Sequence, residues 1–444
     1  MAKVDVQRTW VPHARDPRTR AEHWIAKGGF AVADQAVFSG SNFVLNILLA
    51  RWLSPAEYGA FALAFSFFLF AAGIHNALLL EPMTVYGPSK GRDLGAYFRR
   101  VLRIHAGLAV ALAVPLVAGG GAVLYWGSGE ALSSGLLGLG IWMPATLLYW
   151  TVRRACYLEQ ESWLAFRGGT AYGVFLVAGL GTLSVVGKVT VGGATIVMGF
   201  SGLLASMLLL PSLRRRWSVD SVPEVNTRLI LRENWLYGRW AIGTGIVYWL
   251  SGDVYYLLTS TMMGLNQTGS LRALQNLILP ASHAMTALGM LILPWAVRRL
   301  HTAGMMALGQ AVVRVTWLMT SLAIAYLLAV VLVGKWLIGF LYGDRYVEWV
   351  WLLPLVAGGP VLAAVASGCQ VGLRAARSPK SIFHAHVAGA VVSITVGVLM
   401  THRWGLPGAV GGGLLTLTCQ TFLMWVAWTK VVTRWTGPQI GFQN

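Results

Sequence analysis

Twelve long apolar runs, separated by clusters of charged residues, fill most of this 444-residue chain and restrict what it can fold into. A helix needs about 20 apolar residues to cross a hydrocarbon core of about 30 Å. Only 11% of the residues are charged and the mean hydropathy is +0.63, whereas about 25% of the residues of a soluble domain are charged. The pattern predicts an all-α polytopic membrane protein and excludes an ordinary soluble enzyme, a disordered chain and a disulfide-rich secreted domain. The predicted spans are 26–50, 58–80, 101–126, 135–152, 169–187, 192–212, 239–262, 271–295, 314–334, 349–371, 382–400 and 406–431.

The Lys and Arg residues are distributed unequally between alternate loops. With the N-terminus inside, 28 of the 34 fall in inner segments, and six fall in outer segments: Arg51, Lys188, Arg272, Lys335, Arg345 and Arg403. Cytoplasmic loops of membrane proteins carry such an excess, so we expect both termini to be cytoplasmic. The net charge of +18 then reflects topology and contact with anionic membrane lipid, and no nucleic-acid partner is expected.

The longest polar interval divides the chain into two halves of six spans each. We predict a cytoplasmic N-terminal segment at 1–25 without a cleavable signal peptide, because these residues are polar and basic. The first bundle is predicted at 26–212, a cytoplasmic linker at 213–237 and the second bundle at 238–444. Both halves begin inside, so any repeat between them is parallel, and Gly59 of the first outer loop aligns with Gly269 of the equivalent loop.

Motifs for catalysis, nucleotide binding and metal binding are not apparent. The chain lacks a Gly-rich phosphate loop with Lys and Ser or Thr, its three cysteines are not paired at metal spacing, and its histidines are scattered. We therefore expect no cofactor, no metal, no catalytic residue and no use of bound ATP. The cysteines fall in or beside spans, which is typical of small buried residues.

Two stretches of sequence resemble a known family. They are NFVLNILLARWLSPAEYGAFALAFSF at 42–67 and FLYGDRYVEWVWLLPLVAGGPVLAAVASGCQVGLRAARSPK at 340–380. Both are similar to polysaccharide transporters, the lipid-linked oligosaccharide flippases of the multidrug/oligosaccharidyl-lipid/polysaccharide exporter superfamily. The resemblance covers the whole chain in helix number and orientation, although the two stretches span under a fifth of it.

The resemblance carries several implications. It implies two six-helix bundles around a central cavity that opens alternately to each side of a bacterial or archaeal cytoplasmic membrane. The implied cargo is a polyprenyl-diphosphate-linked oligosaccharide, moved to the outer leaflet for surface polysaccharide biosynthesis. Other membrane proteins of polysaccharide assembly are implied as partners, and no enzymatic activity is implied.

Ionisable residues inside spans are costly and therefore mark candidate sites. Asp253 lies 14 residues beyond Arg239, roughly 20 Å from the inner surface, which is deep for a carboxylate. A carboxyl group at that depth suits proton coupling or cargo contact, and the alternative is a structural bond to a neighbouring helix. Asp34 lies in the equivalent helix of the first half, about 10 Å from Lys27, and is the weaker candidate for the same roles.

The eighth span supplies further candidates. Arg272 lies close to its outer start, and Gln275 and Asn276 lie about one turn deeper, near the level of Asp253. A guanidinium forms bidentate bonds with phosphate, so Arg272 is suited to anionic cargo. The alternatives are that Arg272 extends outward to water or pairs with Asp253. His283, beside Pro280, is predicted near mid-membrane, where it suits a proton relay, a bond to a sugar hydroxyl or an interhelical hydrogen bond.

Glu81, with His75 and Asn76, forms a polar cluster near the inner end of the second span. It is a candidate for the inner mouth of a cavity, and the alternative is a solvated helix end.

Two other functions of the protein are considered. A cation-coupled multidrug exporter of the same fold would favour carboxylates over Arg in the cavity, and a membrane-embedded polysaccharide polymerase would need a longer outer loop than the roughly fifteen residues at 335–348.

Overall fold

All regular structure in the described part of the chain is helical. The computed structural model describes residues 17–87, 94–127, 129–215 and 226–434, and it assigns no side-chain positions to 17–27, 283, 286, 287, 290 and 291. The α-helices are α1 (Pro17–Trp52), α2 (Pro55–His75), α3 (Glu81–Tyr86), α4 (Leu94–Tyr125), α5 (Glu130–Leu158), α6 (Ser162–Val185), α7 (Val191–Arg214), α8 (Thr227–Ser251), α9 (Val254–Met263), α10 (Leu265–Asn276), α11 (Leu279–Tyr342), α12 (Leu353–Ala375), α13 (Pro379–Val392) and α14 (Val398–Thr433). Two π-helical turns, at Asn76–Leu80 and Ser393–Gly397, and a 3₁₀ segment, Gly343–Leu352, complete the order.

Two of these helices contain a reversal of chain direction at a glycine. Gly304 in α11 has φ 77° and Gly405 in α14 has φ 65°, a region that favours glycine. On either side of Gly304, Met285 and Met319 belong to one apolar cluster, as two antiparallel arms require. A Cβ built on Gly412 would lie 3.0 Å from the Cα of Gly397, which pairs the arms of α14 in the same way. The described residues therefore form twelve successive helical passes, as predicted.

The apolar character of the passes is uneven. Eight described segments are long and apolar enough to cross a membrane, and the two longest, Ile292–Ala375 and Pro379–Thr433, each contain more than one pass. Helices α8, α9 and α10 fall outside these segments because charged and polar residues interrupt them. Polar groups at membrane depth need protein or water around them, so this composition indicates helices that face other helices or a cavity.

The passes group into two lobes. In the first lobe α4 packs on α5, α5 on α7, and α1 on α6; in the second, α11 packs on α12, α12 on α14, and α13 on α8 and α14.

Helix α8 begins at Thr227, where the Asn226 side chain accepts a hydrogen bond from the backbone of Arg228 and caps the helix. Residues 227–237 of the predicted linker are therefore helical, and 216–225 lie outside the described residues. Of the predicted N-terminal segment, 17–25 belong to α1 and 1–16 lie outside the described residues.

A capped turn connects α1 to α2 on the predicted outer side. The Ser54 hydroxyl accepts from the backbone N–H of Glu57, and the Glu57 carboxylate accepts from the backbone N–H of Ser54. This capping box, with Pro55 in the first turn, explains why the sequence SPAE stops one helix and starts the next. The turn fixes where the outer end of α2 meets the second lobe.

The lobes are joined on the predicted outer side. Gly59 of α2 and Gly269 of α10 face each other so closely that a Cβ on Gly59 would lie 1.8 Å from the Leu265 carbonyl oxygen. The same glycines align in the predicted repeat, so equivalent outer ends of the two halves pack against one another. Arg51 donates to the Phe340 carbonyl oxygen at 3.1 Å, and Arg345 donates to the Leu53 carbonyl oxygen. We call these contacts the outer seam.

A second line of contact follows α2 and α8 toward the inner side. The Trp249 indole donates to the Ser66 carbonyl oxygen at 3.2 Å, and a Cβ on Gly238 would lie 2.6 Å from the Ala77 carbonyl oxygen. Among the side chains described, no hydrogen bond joins the inner half of α1 to the arm of α11 before Gly304. The lobes are thus in contact at the predicted outer side and along α2–α8, so this state is closed on the predicted outer side.

Candidate functional site

Two neighbouring helical passes are interrupted at membrane depth. Helix α8 ends at Ser251, Gly252 leaves helical geometry with φ −136°, and Asp253 is the N-cap of α9. In the next pass α10 ends at Asn276 and α11 begins at Leu279, so Leu277 and Ile278 form the second break. Breaks in transmembrane helices leave backbone groups unpaired, and such groups persist only beside protein or water.

The two breaks lie side by side. The Tyr256 hydroxyl donates to the Gln275 side-chain oxygen at 2.5 Å, and the passes run antiparallel, so Asp253 is level with Ile278. Tyr326 donates its hydroxyl to the Leu277 carbonyl oxygen and satisfies one of the groups that the break frees. The carboxyl group of Asp253 is therefore held at a point where two half-helices begin or end.

Arg272 lies at the centre of a polar network between the lobes. Its Nε donates to Asn46 Oδ1 at 3.1 Å, across the lobe interface, and its Nη1 donates to the Tyr256 hydroxyl at 2.8 Å. The guanidinium also lies 5.8 Å from the Phe65 ring centroid and 5.6 Å from that of Tyr256. Only 8% of Arg272 is exposed. Neutral oxygens and aromatic faces therefore stabilise the positive charge of Arg272. Among the described residues, no carboxylate lies within ion-pair distance of the guanidinium.

Asn276 extends this network. Its Nδ2 donates to the Tyr58 hydroxyl at 2.6 Å, and Tyr58 in turn donates to Asn46 Oδ1 at 3.2 Å. Asn276 and Tyr58 are fully buried, and within the described residues Asn276 Oδ1 has no hydrogen-bond partner. Because Asn46 and Tyr58 belong to the first lobe and Arg272 and Asn276 to the second, opening of the outer seam must break both interlobe bonds.

Asp253 lies close to this network but outside it. Its side chain is half-buried, beside exposed Gly252, and the charge of Arg272 acts on it through space. No ion pair within 4.0 Å joins Asp253 to Arg272, so the direct pairing weighed from the sequence is not formed in this state. The N-terminus of α9 lies at Asp253, and a helix N-terminus favours negative charge. Asp253 is therefore a half-buried carboxyl group at a helix N-terminus, near the charge of Arg272 but not paired with it.

Asp34 occupies a different place. It is fully buried in the first lobe, where Arg153 Nη2 lies 2.7 Å from Asp34 Oδ2 and the Tyr157 hydroxyl donates to the same oxygen. Arg153 also donates to Gln35 Oε1 at 3.1 Å and lies 4.5 Å over the Phe38 ring. The arrangement joins α1 to α5. The sequence placed Arg153 among the inner-side charges, whereas the structure places it at the depth of Asp34.

Glu81 and His283 complete the predicted set. Glu81 Oε1 accepts from Asn76 Nδ2 at 3.0 Å just after the π-helical turn, and the side chain is half-buried near the inner end of its pass. His75 Nε2 and His105 Nδ1 lie 3.0 Å apart nearby, so His75 bonds within the first lobe. The backbone of His283 is helical, but its side chain lies outside the described residues.

Several members of the network were not predicted as site residues. Tyr58 and Tyr256 are indistinguishable in sequence from tyrosines that anchor helices at a membrane interface. Asn46 lies in an apolar span, and no charge or motif in the sequence marks it as a site residue. The sequence offered one signal, the register of two neighbouring passes. When the seventh and eighth passes are set side by side as antiparallel helices with Asp253 level with Ile278, Tyr256 lies opposite Gln275.

The described residues hold no group of three or more His, Cys, Asp or Glu side chains that could bind a metal ion. The site offers the chemistry of recognition: a buried cation, amides and hydroxyls at the lobe interface, with a half-buried carboxyl group nearby. Such groups are suited to hydrogen bonding with an anionic, hydroxyl-rich molecule.

No protein-family model matches the sequence, and no curated protein matches it either. Several solved structures match the chain over most of its length. An inward-facing multidrug resistance MATE family transporter of the MOP superfamily has a TM-score of 0.73 at 12% identity, covering 91% of this chain and 99% of its own. The lipid II flippase MurJ, in an inward closed conformation, has a TM-score of 0.68 at 13% identity, covering 92% of this chain and 90% of its own.

An outward-facing MATE family transporter has a TM-score of 0.63 at 11% identity, covering 92% of this chain and 95% of its own. At these identities the likeness concerns the fold, which is that of the MATE and MurJ structures. The all-α polytopic fold predicted from the sequence is thus confirmed.

Proposed function

We propose that this protein is a flippase, which moves polyprenyl-diphosphate-linked oligosaccharide units across the cytoplasmic membrane by alternating access for surface polysaccharide biosynthesis. Arg272 carries the proposal, because its buried guanidinium at the lobe interface is bonded to the neutral oxygens of Asn46 and Tyr256 and, within the described residues, has no carboxylate as an ion-pair partner. A diphosphate offers charged oxygens that match the planar fork of a guanidinium. The fold likeness to a lipid II flippase agrees with this cargo class.

The interlobe bonds supply a mechanism of exchange. Cargo that arrives from the inner side competes for these groups: diphosphate oxygens replace Asn46 at the Arg272 guanidinium, and sugar hydroxyls replace Tyr58 at the Asn276 amide. Loss of the two interlobe bonds weakens the closed outer seam, so Asn46 and Tyr58 move away with the first lobe and the outer side opens. Return of the first lobe restores the interlobe bonds after the cargo has left to the outer leaflet.

Asp253 is the proposed coupling group. Its carboxylate is half-buried at the break between α8 and α9 and interacts electrostatically with Arg272. Protonation would remove a negative charge that opposes anion binding at Arg272, so proton uptake and cargo binding would favour one another. Glu81 is proposed for the inner mouth, and Asp34, held by Arg153, for positioning α1 against α5. His283 stays a candidate relay on the basis of the sequence alone.

A cation-coupled multidrug exporter is the second candidate. The half-buried carboxylate of Asp253 favours it, since a cationic drug could pair with that group directly. The MATE likeness fits it equally. A polymerase has less support, because within the described residues the longest stretch between passes on the outer side is the ten-residue 3₁₀ segment Gly343–Leu352.

Gene deletion and rescue test the proposal. Deletion should abolish surface polysaccharide and leave lipid-linked units on the cytoplasmic face, and the wild-type gene should reverse both effects. Arg272→Gln should fail to rescue because it removes the anion-binding charge, and Arg272→Lys should rescue in part because it keeps the charge without the fork. Arg403→Gln, an exposed arginine of the outer side, is the matched control and should rescue fully.

The drug-exporter reading makes the opposite prediction. If deletion leaves polysaccharide intact and raises sensitivity to cationic drugs, the flippase proposal is wrong. Asp253→Asn separates the two further: it should slow polysaccharide export in a flippase and abolish drug resistance in an exporter. Membrane content of each variant, measured by immunoblot, distinguishes a transport defect from a loss of protein.

A further inference from the structure

A cavity of about 550 Å³ lies between the lobes near the predicted inner membrane surface. One wall is α4 of the first lobe, and the other is α8 of the second. Its lining includes Arg103, Gly107, Leu108, Leu231, Asn234 and Trp235. None of these residues belongs to the network of Arg272, and the proposed transport function makes no use of them.

The burial and hydrogen bonding of Asn234 indicate that a ligand binds in this cavity. It is 4% exposed, it lines the cavity, and in the described part of the chain neither its Nδ2 nor its Oδ1 has a hydrogen-bond partner. A buried amide with both groups unpaired costs free energy, so such groups are almost always satisfied by protein, water or ligand. The ligand that fits must accept one hydrogen bond and donate another.

Arg103 gives the cavity a positive charge. Its side chain is exposed in the same cavity, and the described residues offer it neither an ion pair nor a hydrogen bond. The predicted spans begin at 101 and 239, so Arg103 and Asn234 both lie near the boundary between lipid headgroups and hydrocarbon. Arg228 and Arg232 are exposed on the same end of α8 and raise the positive potential there.

The rest of the cavity is apolar. Gly107 and Leu108 lie one turn deeper along α4 than Arg103, and Leu231 and Trp235 are about half-exposed on α8. Above them Gly238 closes against the Ala77 carbonyl oxygen, which forms a roof between the lobes. The cavity is therefore polar at headgroup level and apolar toward the bilayer centre, as an amphipathic lipid is.

We propose that this cavity binds an anionic glycerophospholipid of the inner leaflet, with phosphatidylglycerol as the matching headgroup. The phosphate accepts from Arg103 and from Asn234 Nδ2, a glycerol hydroxyl donates to Asn234 Oδ1, and an acyl chain follows Gly107, Leu108 and Trp235. A phosphatidylcholine headgroup has no hydroxyl or N–H donor for Oδ1 and carries no net charge. Because the cavity walls belong to different lobes, the bound lipid stabilises the state in which α4 and α8 stand as they do here.

Native mass spectrometry of the full chain, titrated with dioleoyl phosphatidylglycerol or dioleoyl phosphatidylcholine, tests the proposal. Wild type should bind one phosphatidylglycerol about tenfold more tightly than phosphatidylcholine. Arg103→Gln should remove most of this preference. Gly107→Phe should lower the affinity for both lipids several-fold, because a Cβ at Gly107 meets no atom within 4 Å and the ring can occupy the acyl-chain space without disturbing the fold.

Two further variants complete the test. Arg299→Gln, an exposed arginine of the inner side in another helix, should bind phosphatidylglycerol like wild type. Asn234→Leu should lower phosphatidylglycerol affinity while leaving the Tm in lipid-free detergent unchanged or raised, since it removes an unpaired buried amide. Equal binding by wild type, Arg103→Gln and Gly107→Phe would overturn the proposal. Displacement of phosphatidylglycerol by a polyprenyl diphosphate, lost in the same variants, would overturn it too, by assigning the cavity to a cargo lipid.

Discussion

Asp34 illustrates how a charged residue in a span can serve the fold. Its carboxylate is fully buried and accepts from Arg153 and Tyr157, so removing its charge leaves the Arg153 guanidinium without a counterion. Breaking a buried pair from one side costs about 3–5 kcal/mol. We expect Asp34→Asn to lower the free energy of unfolding by that order, seen as a lower Tm in detergent.

The double variant Asp34→Asn/Arg153→Met is the control for this prediction. It removes the unpaired cation, and most of the lost stability should return. A Tm equal to wild type in Asp34→Asn, accompanied by loss of transport, would contradict the structural role and make Asp34 a functional carboxylate.

At the scale of the helix, the contact between α2 and α10 depends on two glycines. A Cβ on Gly59 would lie 1.8 Å from the Leu265 carbonyl oxygen, so Gly59→Ala must push the two outer helix ends apart. Overpacking of this kind costs about 1–3 kcal/mol, which in this position destabilises only the state closed to the outside. We expect roughly tenfold more labelling of Asn276→Cys by an impermeant maleimide added outside.

Gly73 offers a matched control in the same helix, because a Cβ there meets no atom within 4 Å. Gly73→Ala should leave the labelling of Asn276→Cys unchanged. If Gly59→Ala labels no faster than Gly73→Ala, the glycine contact does not govern opening of the outer seam.

At the scale of the molecule, two arginines tie the lobes together outside. Arg51 donates to the Phe340 carbonyl oxygen and Arg345 to the Leu53 carbonyl oxygen, each bond crossing between lobes. Arg51→Ala/Arg345→Ala should therefore shift the population toward a state open to the outside. Spin labels at exposed Trp126 and Trp404, one on each lobe, should report a longer distance by pulsed electron resonance.

The comparison for this experiment is Arg403→Ala, which removes an exposed charge from the same side of the second lobe. It should leave the distance distribution as in wild type. An unchanged distribution in the double arginine variant would mean that these two arginine bonds do not hold the outer seam closed.

Part of the site was accessible from the sequence. Depth along a helix, counted at 1.5 Å per residue, predicted Gln275 and Asn276 near the level of Asp253 and Arg272 about one turn nearer the outside. The same counting could not choose between partners for Arg272, and the sequence hypothesis of a pair with Asp253 is not realised in this state. Counting gives depth, whereas pairing depends on how each helix is rotated about its axis and which helix stands beside it.

The sequence by itself determined the number of passes, their order and the polar character of the seventh and eighth. These properties follow from apolar length and charge within single segments, which do not depend on distant residues. Only the tertiary structure decided that Arg272 bonds Asn46, 226 positions away, and that Asp34 pairs with Arg153, 119 positions away. Packing between helices sets such contacts, because it fixes rotation and lateral neighbours that no local pattern specifies.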